Sequence, residues 1–269
     1  MIKFGMMGAL GRMGRTIAAL STSLDEMECA VGFDNPAHPD FIDGNYESYF
    51  PDGKPIKISE VSPDALHNID GVIDFSLPNA MDKYLGLFVE KKIPLVIGTT
   101  GFSEEQTSAI KKASLEIPVL MASNMSIGVN MLFALTELAA GTLVNLGFDT
   151  EMSEIHHRFK KDAPSGTAKT LEEIISKKAG LTNKDVVYGR EGIIGERPDK
   201  ELGSFALRGG DVVGDHTVFF LGNGERIELK HQAMSRDVFA SGAINALKYI
   251  VGKPPGMYGM RDVLNLPVF

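Results

Sequence analysis

Short apolar runs alternate with amphipathic stretches from the amino terminus to about residue 126. The apolar runs predict β-strands at 2–7, 27–33, 72–75, 95–97 and 119–121. Apolar residues at helical spacing predict helices at 12–20, 80–91 and 104–117, and Ser103 is placed to cap the last of these. Strands that alternate with helices build a parallel sheet covered on both faces. The pattern therefore predicts a doubly wound α/β domain.

The pattern changes from Phe148 onward. Polar and apolar residues alternate through Ile155, and helical spacing returns over 167–178. Further strands are predicted at 205–207, 211–221 and 226–231, with a hairpin turn at Asn223-Gly224, and a helix is predicted at 235–250. The glycine-rich stretch 189–203 is predicted to be a loop. This mixture is typical of a second, α+β domain.

Composition narrows the class of protein. The 269 residues, 43% of them apolar, suffice for one large core or two domains, and we take two. A net charge of -8, from 27 basic and 35 acidic residues, argues against nucleic acid or an anionic membrane as partner. We expect no apolar stretch to reach the roughly 18 residues that span a bilayer. A single cysteine and an amino terminus without a signal-like apolar region lead us to expect a cytoplasmic protein.

Three glycines follow the first strand, in Gly8-Ala9-Leu10-Gly11-Arg12-Met13-Gly14. This turn differs from the common G-x-G-x-x-G because Leu10 stands where the middle glycine usually does. Small residues let the backbone approach a pyrophosphate, and the start of the following helix supplies N–H donors and a positive dipole. Because strand, turn and helix occur in this order, we predict a Rossmann-type dinucleotide site.

Asp34 ends the second strand, where a carboxylate can accept hydrogen bonds from the ribose hydroxyls of the adenosine. It would repel a 2′-phosphate, and the neighbouring Asn35 has no charge to offset that, so the pair favours NADH. Arg12 or Arg15 could still reach a phosphate, which leaves use of both cofactors open. In a purely structural alternative, the glycines only pack helix on strand and Asp34 caps a turn.

Two polar loops follow later strands of the same predicted sheet, Gly98-Thr99-Thr100-Gly101-Phe102 and Ala122-Ser123-Asn124-Met125-Ser126. Ligands of doubly wound sheets bind at the carboxyl ends of the strands. We therefore predict that these loops hold the nicotinamide carboxamide and its ribose. Alternatively, both are ordinary turns.

The stretch with the most specific chemistry is Glu-Ile-His-His-Arg-Phe-Lys-Lys-Asp-Ala-Pro-Ser-Gly-Thr-Ala, residues 154–168. His156 and His157 exchange protons near neutral pH, and Lys160 binds or protonates an anion. Backbone N–H groups at the helix start after Ser165 suit a carboxylate. The mixture suits a small dianionic substrate. In the alternative without chemistry, the histidines are one buried and one exposed residue of a strand.

Spacing sets a condition on this site. On an extended strand His156 and Lys160 would stand about 13 Å apart, at roughly 3.3 Å per residue. Either the chain bends between them or the substrate bridges them. Pro164 and Gly166 favour a turn just beyond Lys160 but do not require one before it.

With these features the chain resembles the dihydrodipicolinate reductase family nearly from end to end. The most specific part is H-H-x-x-K-x-D-A-P-S-G-T-A, which residues 156–168 match in full. The resemblance implies a nicotinamide-dependent enzyme that reduces a cyclic imine dicarboxylate to tetrahydrodipicolinate, a step of diaminopimelate and lysine synthesis. Where members often carry an arginine after the ribose-binding acid, this chain has Asn35, so a strict NADPH preference is not expected.

The same resemblance implies roles for individual residues. His156 and Lys160 are the expected acid/base pair, and His157, Gly166 and Thr167 are the expected substrate contacts. The expected contacts to NADH or NADPH are Gly8, Ala9, Leu10, Gly11, Arg12, Met13, Asp34, Gly98, Thr99, Thr100, Ala122, Ser123, Asn124 and Met125. Residues 1–127, completed by 237–269, would form the dinucleotide-binding domain. Residues 128–236 would form the substrate-binding and oligomerisation domain of a homotetramer.

Two other functions remain open. Another two-domain nicotinamide enzyme, such as an aspartate dehydrogenase, would share the first domain and differ in the second. A nucleotide-sensing protein would keep the fold without the chemistry, which an intact His156, His157, Lys160 and Thr167 set argues against. No metal site is expected, because the sequence has no H-E-x-x-H, no paired cysteines and no EF-hand loop.

Overall fold

The computed structural model describes residues 1–41, 45–46 and 55–267, which divide into two compact units. Unit 1 comprises Met1–Ile127 and Arg236–Asn265. Unit 2 comprises Gly128–Ser235 and the segment that begins at Leu266. The chain thus leaves unit 1 after Ile127, returns to it through a late helix and enters unit 2 again at Leu266. The last two residues of the segment 237–269, predicted to complete the first domain, lie outside the described residues.

The strands are β1 (Ile2–Met7), β2 (Met27–Phe33), β3 (Asn45–Tyr46), β4 (Ile56–Ser59), β5 (Gly71–Asp74), β6 (Leu95–Ile97), β7 (Pro118–Met121), β8 (Asp149–His156), β9 (Val186–Val187), β10 (Leu202–Arg208), β11 (Gly214–Leu221), β12 (Arg226–Ala233) and β13 (Gly256–Tyr258). The α-helices are α1 (Arg12–Ser21), α2 (Pro78–Glu90), α3 (Glu104–Ala113), α4 (Ile127–Leu143), α5 (Gly166–Ala179), α6 (Asp237–Ile250) and α7 (Met260–Val263).

The sheet of unit 1 has the strand order β13-β7-β6-β5-β1-β2-β4-β3. Neighbouring strands are parallel except β3 and β4. Chain order reverses at β1, whose neighbours are β2 and β5. Such a switch point is where doubly wound sheets bind ligands, at the carboxyl ends of the strands.

Both faces of this sheet are buried, which explains the continuous apolar runs in its strands. Val96 packs in the cluster that includes residues of α1 and α6, whereas Leu95 and Ile97 pack in the cluster that includes residues of α2 and α3. Helix α6 packs very closely on the loop after β7, because a Cβ atom on Gly242 would lie 1.7 Å from the carbonyl oxygen of Met125.

The sheet of unit 2 has the order β12-β11-β8-β10-β9, with β8 parallel to β10 and antiparallel to β11. Side chains from α4 and α5 complete a core with Met152, Val218 and Phe220. The predicted hairpin turn is confirmed, since β11 and β12 pair across Asn223-Gly224 and Gly224 has a φ of 84°.

The α/β fold class is confirmed, and β1, β2 and β6 have the predicted bounds. The helix predicted at 104–117 ends earlier, at Ala113, where the Ser114 hydroxyl donates to the carbonyl of Lys111. The strand predicted from residue 211 begins at Gly214, because a turn around Gly210 precedes it. β10 runs from Leu202, so the predicted loop 189–203 is shorter at its end.

The expectation that no apolar stretch reaches membrane-spanning length was wrong. α4 continues into a 3₁₀ helix, and Ile127–Leu146 forms 20 residues whose most apolar window has a mean hydropathy of 1.6 and is 33% buried. Neutral polar residues such as Asn130 and Thr136 divide this segment into short apolar runs. The runs look too short to span a bilayer when each is counted separately, although the whole segment is apolar on average. A core helix meets the same criteria of length and composition, and Leu132 and Ala140 lie in the core of unit 2.

Candidate active site

The side chains of β8 alternate between the two faces of the unit 2 sheet, as they do on any strand. Glu154 and His156 therefore share the inner face, and the register places Glu154 opposite His216 of β11. His157 is the first residue after the strand, and its backbone N–H donates to Val212. The inner face thus gathers ionisable groups where β8 ends.

Glu154 is the centre of this group and is fully buried. Its Oε2 lies 2.6 Å from Nδ1 of His156 and accepts from Arg208 at 2.7 Å. Its Oε1 accepts from Arg208 at 2.8 Å and from the backbone N–H of Ser165 at 3.0 Å. One carboxylate therefore accepts four hydrogen bonds.

These contacts keep the carboxylate ionised. Burial alone would raise the pKa of Glu154, but hydrogen bonds from His156, Arg208 and the backbone outweigh it and lower the pKa to about 2. Arg208 supplies the compensating positive charge, without which a buried carboxylate is costly. Its guanidinium also donates to the carbonyl of Asp162 at 2.7 Å, which anchors the loop after β8.

His216 lies 5.3 Å from His156 between ring centroids. Its Nε2 is 3.0 Å from the hydroxyl of Ser165, which caps α5 by accepting from the backbone N–H of Ala168. Burial, with the charge of His156 nearby, lowers the pKa of His216 to about 3. The side chain is therefore neutral at physiological pH and supports the start of α5.

Lys160 reaches this site because the chain bends directly after β8. The backbone N–H of Lys160 donates to the carbonyl of His157, which closes a turn. The sequence alone had left open whether the chain bends before Lys160, and it does. The ammonium lies 2.9 Å from a carboxylate oxygen of Asp162 and is half-buried.

The start of α5 presents the predicted substrate contacts. Gly166 is the first residue of the helix and is exposed, and no atom lies within 4 Å of where its Cβ would stand. Thr167 follows in the same first turn, which no acidic residue occupies. The backbone N–H groups and the positive dipole end of a helix start favour an anion.

Steric limits require glycine at two positions of the glycine turn in unit 1. Gly8 has a φ of 75°, and a Cβ there would lie 2.5 Å from the carbonyl oxygen of Phe75. A Cβ on Gly14 would lie 2.1 Å from the carbonyl oxygen of Gly8. Bare backbone thus lies at the start of α1, as a pyrophosphate requires. The glycines therefore do allow the helix to pack on the strand, as the alternative without a ligand requires. This packing is compatible with a bound pyrophosphate.

Asp34 is tied to this turn. Its Oδ2 accepts from the backbone N–H of Leu10 and its Oδ1 from that of Asn35, both at 2.8 Å. A cavity of about 430 Å³ opens beside it, lined by residues of the glycine turn, by Asp34 and by Phe75, Ser76 and Leu77 after β5. This cavity lies at the switch point between β1 and β5, and it suits the adenosine half of a dinucleotide.

The two polar loops lie at the carboxyl ends of β6 and β7 as predicted. Gly98 allows the Phe75 ring to pack against it, since a Cβ there would lie 2.3 Å from the ring. The side chain of Met125 is buried in the core, as are those of Ala9 and Leu10, so these residues have only their backbones to offer a cofactor. Thr100 and Ser123 are exposed.

Comparison with known proteins decides the family. The model for the N-terminal part of dihydrodipicolinate reductase matches residues 2–125, and the model for its C-terminal part matches residues 128–264. The chain belongs to the dihydrodipicolinate reductase family. The 4-hydroxy-tetrahydrodipicolinate reductase of Aquifex aeolicus is 49% identical over 267 residues, covering 96% of this chain and 97% of the relative. The enzyme of that name from Methanocaldococcus jannaschii is 43% identical, covering 99% and 98%.

Solved structures confirm the fold. A dipicolinate-bound dihydrodipicolinate reductase from a Paenisporosarcina species matches with a TM-score of 0.73 at 24% identity, covering 97% of this chain and 98% of that one. An amine dehydrogenase from Mycobacterium smegmatis matches with a TM-score of 0.57 at 12% identity, covering 99% and 96%. Enzymes of other kinds thus share this architecture, and the sequence matches decide against the aspartate dehydrogenase alternative.

Several residues of these sites were absent from the sequence prediction. In unit 1 they are Phe75, Ser76 and Leu77, which follow β5 and line the cavity. The polar Ser76 directly after a central strand is a signal that could have indicated them. In unit 2 they are Glu154, Arg208 and His216. The spacing of Glu154 and His156 places both on one strand face, but no local signal points to Arg208, which lies 54 positions from Glu154.

We predict that His216 makes unit 2 sensitive to mild acid. Burial lowers the pKa of His216 in the folded protein to about 3, below the ordinary 6.5, so the unfolded chain binds the extra proton as the pH falls from 6.5 toward 3. The free energy of unfolding should fall by up to about 1.4 kcal/mol per pH unit in that range. Glu154, whose pKa is lowered to about 2, also reduces the free energy of unfolding as the pH falls, but only below pH 4.5.

Denaturant unfolding between pH 8 and 5 measures this effect. His216→Asn should reduce the slope of unfolding free energy against pH, while part of the slope remains because burial also lowers the pKa of His231. His67→Asn, at an exposed position in unit 1, should keep the wild-type slope. An unchanged slope in His216→Asn would contradict the prediction.

Proposed function

We propose that this chain catalyses the reaction for which its relatives are named, the nicotinamide-dependent reduction of a cyclic imine dicarboxylate to tetrahydrodipicolinate in diaminopimelate and lysine synthesis. The observation that carries this proposal is the match to reductases of that name over 96% and 99% of the chain. Lys160 and the helix start at Gly166, which follow β8 in one segment of unit 2, support a small dianionic substrate.

Unit 1 fits the dinucleotide that family members use. The bare backbone at residues 8–13 and the anchored carboxylate of Asp34 suit its pyrophosphate and its ribose, and we propose residues 98–100 and 122–125 as further contacts. Each oxygen of Asp34 accepts one backbone hydrogen bond, so lone pairs remain for the ribose hydroxyls. When bound, the reduced nicotinamide supplies a hydride.

In unit 2, we propose that His156 and Lys160 are the acid/base pair. Hydride addition to a conjugated imine leaves a carbanion or enamine that must take a proton, and a nearby cation stabilises the negative charge as it develops. Lys160 is held beside His157 by the turn after β8. His157, Gly166 and Thr167 are the proposed contacts to the carboxylates, through side chains and backbone N–H groups at the start of α5.

We propose that NADH serves at least as well as NADPH. A 2′-phosphate would lie beside the carboxylate of Asp34, which already repels it. Of the two candidate cations in the sequence, Arg15 is already bonded, because its Nε donates to the carbonyl of Leu10 at 2.7 Å and its Nη2 pairs with Asp40. Asp40 thus neutralises the charge that could otherwise favour the phosphate.

We propose a homotetramer built through the sheet of unit 2. The face of this sheet opposite Glu154 carries large apolar side chains that keep part of their surface exposed, namely Ile155, Phe205, Leu207, Phe219 and Leu221. Apolar side chains exposed on one face of a sheet suit association with another copy of the chain. A cytoplasmic location is part of the same proposal, since the buried Cys29 forms no disulfide.

His156→Ala and Lys160→Ala should each lower kcat by about a hundredfold or more, because each removes a proton donor or a stabilising cation. Steady-state oxidation of NADH with the product of the preceding synthase measures this. Lys169→Ala, which removes an exposed cation from α5, should retain the wild-type kcat. Near-wild-type rates in both test variants would remove these residues from the proposed role.

Wild-type kcat/KM with NADH should equal or exceed that with NADPH. Asp40→Asn should raise kcat/KM for NADPH by about tenfold and leave that for NADH unchanged, because Arg15 then offers an unneutralised charge to the phosphate. Asp64→Asn makes the same charge change at an exposed position and should alter neither value. A hundredfold lower wild-type kcat/KM with NADH would overturn the preference.

Analytical ultracentrifugation should give a mass about four times the 29.1 kDa of the chain. Leu207→Glu places a charge on the proposed interface and should yield smaller species, because a buried unpaired carboxylate is unfavourable. Leu115→Glu introduces the same charge at an exposed position of unit 1 and should leave the mass unchanged. A monomeric wild-type protein would exclude the tetramer.

A further inference from the structure

Glu154 connects two parts of the site that are separate in the sequence. Its Oε2 contacts the imidazole of His156, and its Oε1 accepts from the backbone N–H of Ser165, which precedes α5. Arg208 bridges the two oxygens from the opposite side. The positions of the imidazole and of the helix start therefore depend on one side chain.

The contact with Glu154 determines which nitrogen of His156 carries a proton. An ionised carboxylate only accepts hydrogen bonds, so Nδ1 of His156 must donate. Nε2 is then the nitrogen that gains or loses a proton. The ring has room at that end because residue 214 is glycine, and a Cβ there would lie 3.0 Å from Nε2.

The surrounding charges support this arrangement. Arg208 balances Glu154, and Lys160 is paired with Asp162. His216 stays neutral because burial lowers its pKa, so it adds no second cation beside His156. An imidazolium at His156 therefore faces a carboxylate on one side and a neutral ring on the other.

We propose that Glu154 is a positioning residue that holds His156 as the Nδ1-protonated tautomer, with Nε2 available for proton transfer, and that fixes the start of α5 relative to this imidazole. This proposal rests on the proposed function in one respect, namely that the proton at Nε2 of His156 is transferred during catalysis. The tautomer itself is a property of the protein without substrate.

Glu154→Gln separates the two contacts. The amide has one oxygen where the carboxylate has two, so it cannot accept from both His156 and Ser165. A backbone N–H is always a donor, whereas an imidazole can change its tautomer. The amide oxygen should therefore face Ser165 and the amide NH₂ should face His156, which shifts the imidazole proton to Nε2. Glu154→Ala removes both contacts.

Nitrogen-15 NMR of histidine-labelled protein reads the tautomer directly. The six histidines give few signals, and His156→Asn identifies the one of interest. Wild-type protein should show the Nδ1-protonated tautomer, and Glu154→Gln the Nε2-protonated one. A wild-type His156 with its proton on Nε2 would overturn the proposal, and the tautomer is read on the wild-type protein, with His156→Asn serving only to assign the signal.

Kinetics and binding test the use of this arrangement. Glu154→Gln should lower kcat at least about tenfold while the Kd for pyridine-2,6-dicarboxylate changes less than about threefold. Glu154→Ala should lower kcat similarly and raise that Kd about tenfold or more. In the His156→Ala background, Glu154→Gln should have little further effect on kcat, because its effect passes through the imidazole.

Glu172→Gln is the matched control. Glu172 is also a buried glutamate of unit 2, and its partners are Ser204 and Tyr188. It should change neither the tautomer nor kcat, so equal losses in Glu172→Gln and Glu154→Gln would overturn the positioning role. If wild-type protein does not reduce the imine at all, the proposed function fails, and the tautomer measurement still decides whether Glu154 orients His156.

Discussion

The buried pairing of Glu154 with Arg208 is the interaction on which the unit 2 site depends. A carboxylate with no exposed surface is stable as an anion only if donors surround it and a positive charge compensates it. The donors come from β8, from β10 and from the residue before α5. Satisfying one buried charge therefore brings three separate segments of the chain into one fixed arrangement.

The two units offer recognition by different means. In unit 1 the proposed ligand site consists mainly of backbone that glycines leave uncovered, together with the anchored carboxylate of Asp34. In unit 2 the site consists of ionisable side chains and a helix start. The fold alone does not determine the substrate, since an amine dehydrogenase shares it at only 12% identity.

The bounds of β1, β2 and β6 could be predicted because each is an apolar run buried on both faces, with turn residues next to it. The candidate site segment could also be proposed from local sequence, since His156, Lys160 and Gly166 occur within eleven residues of one another along the chain. Arg208 could not, because its role comes from the pairing of β10 with β8. Nor could the short strands β9 and β13, whose few residues carry no periodic pattern.

The return of the chain to unit 1 also constrains the order of folding during synthesis. Ala243 and Leu247 of α6 cover a face of the sheet to which β1 contributes Phe4. A ribosome that has completed the first 127 residues must still translate residues 128–235 before this helix emerges. The nascent nucleotide-binding half therefore exposes part of its core to chaperones and proteases until unit 2, whose segments are nearly contiguous, has had time to form.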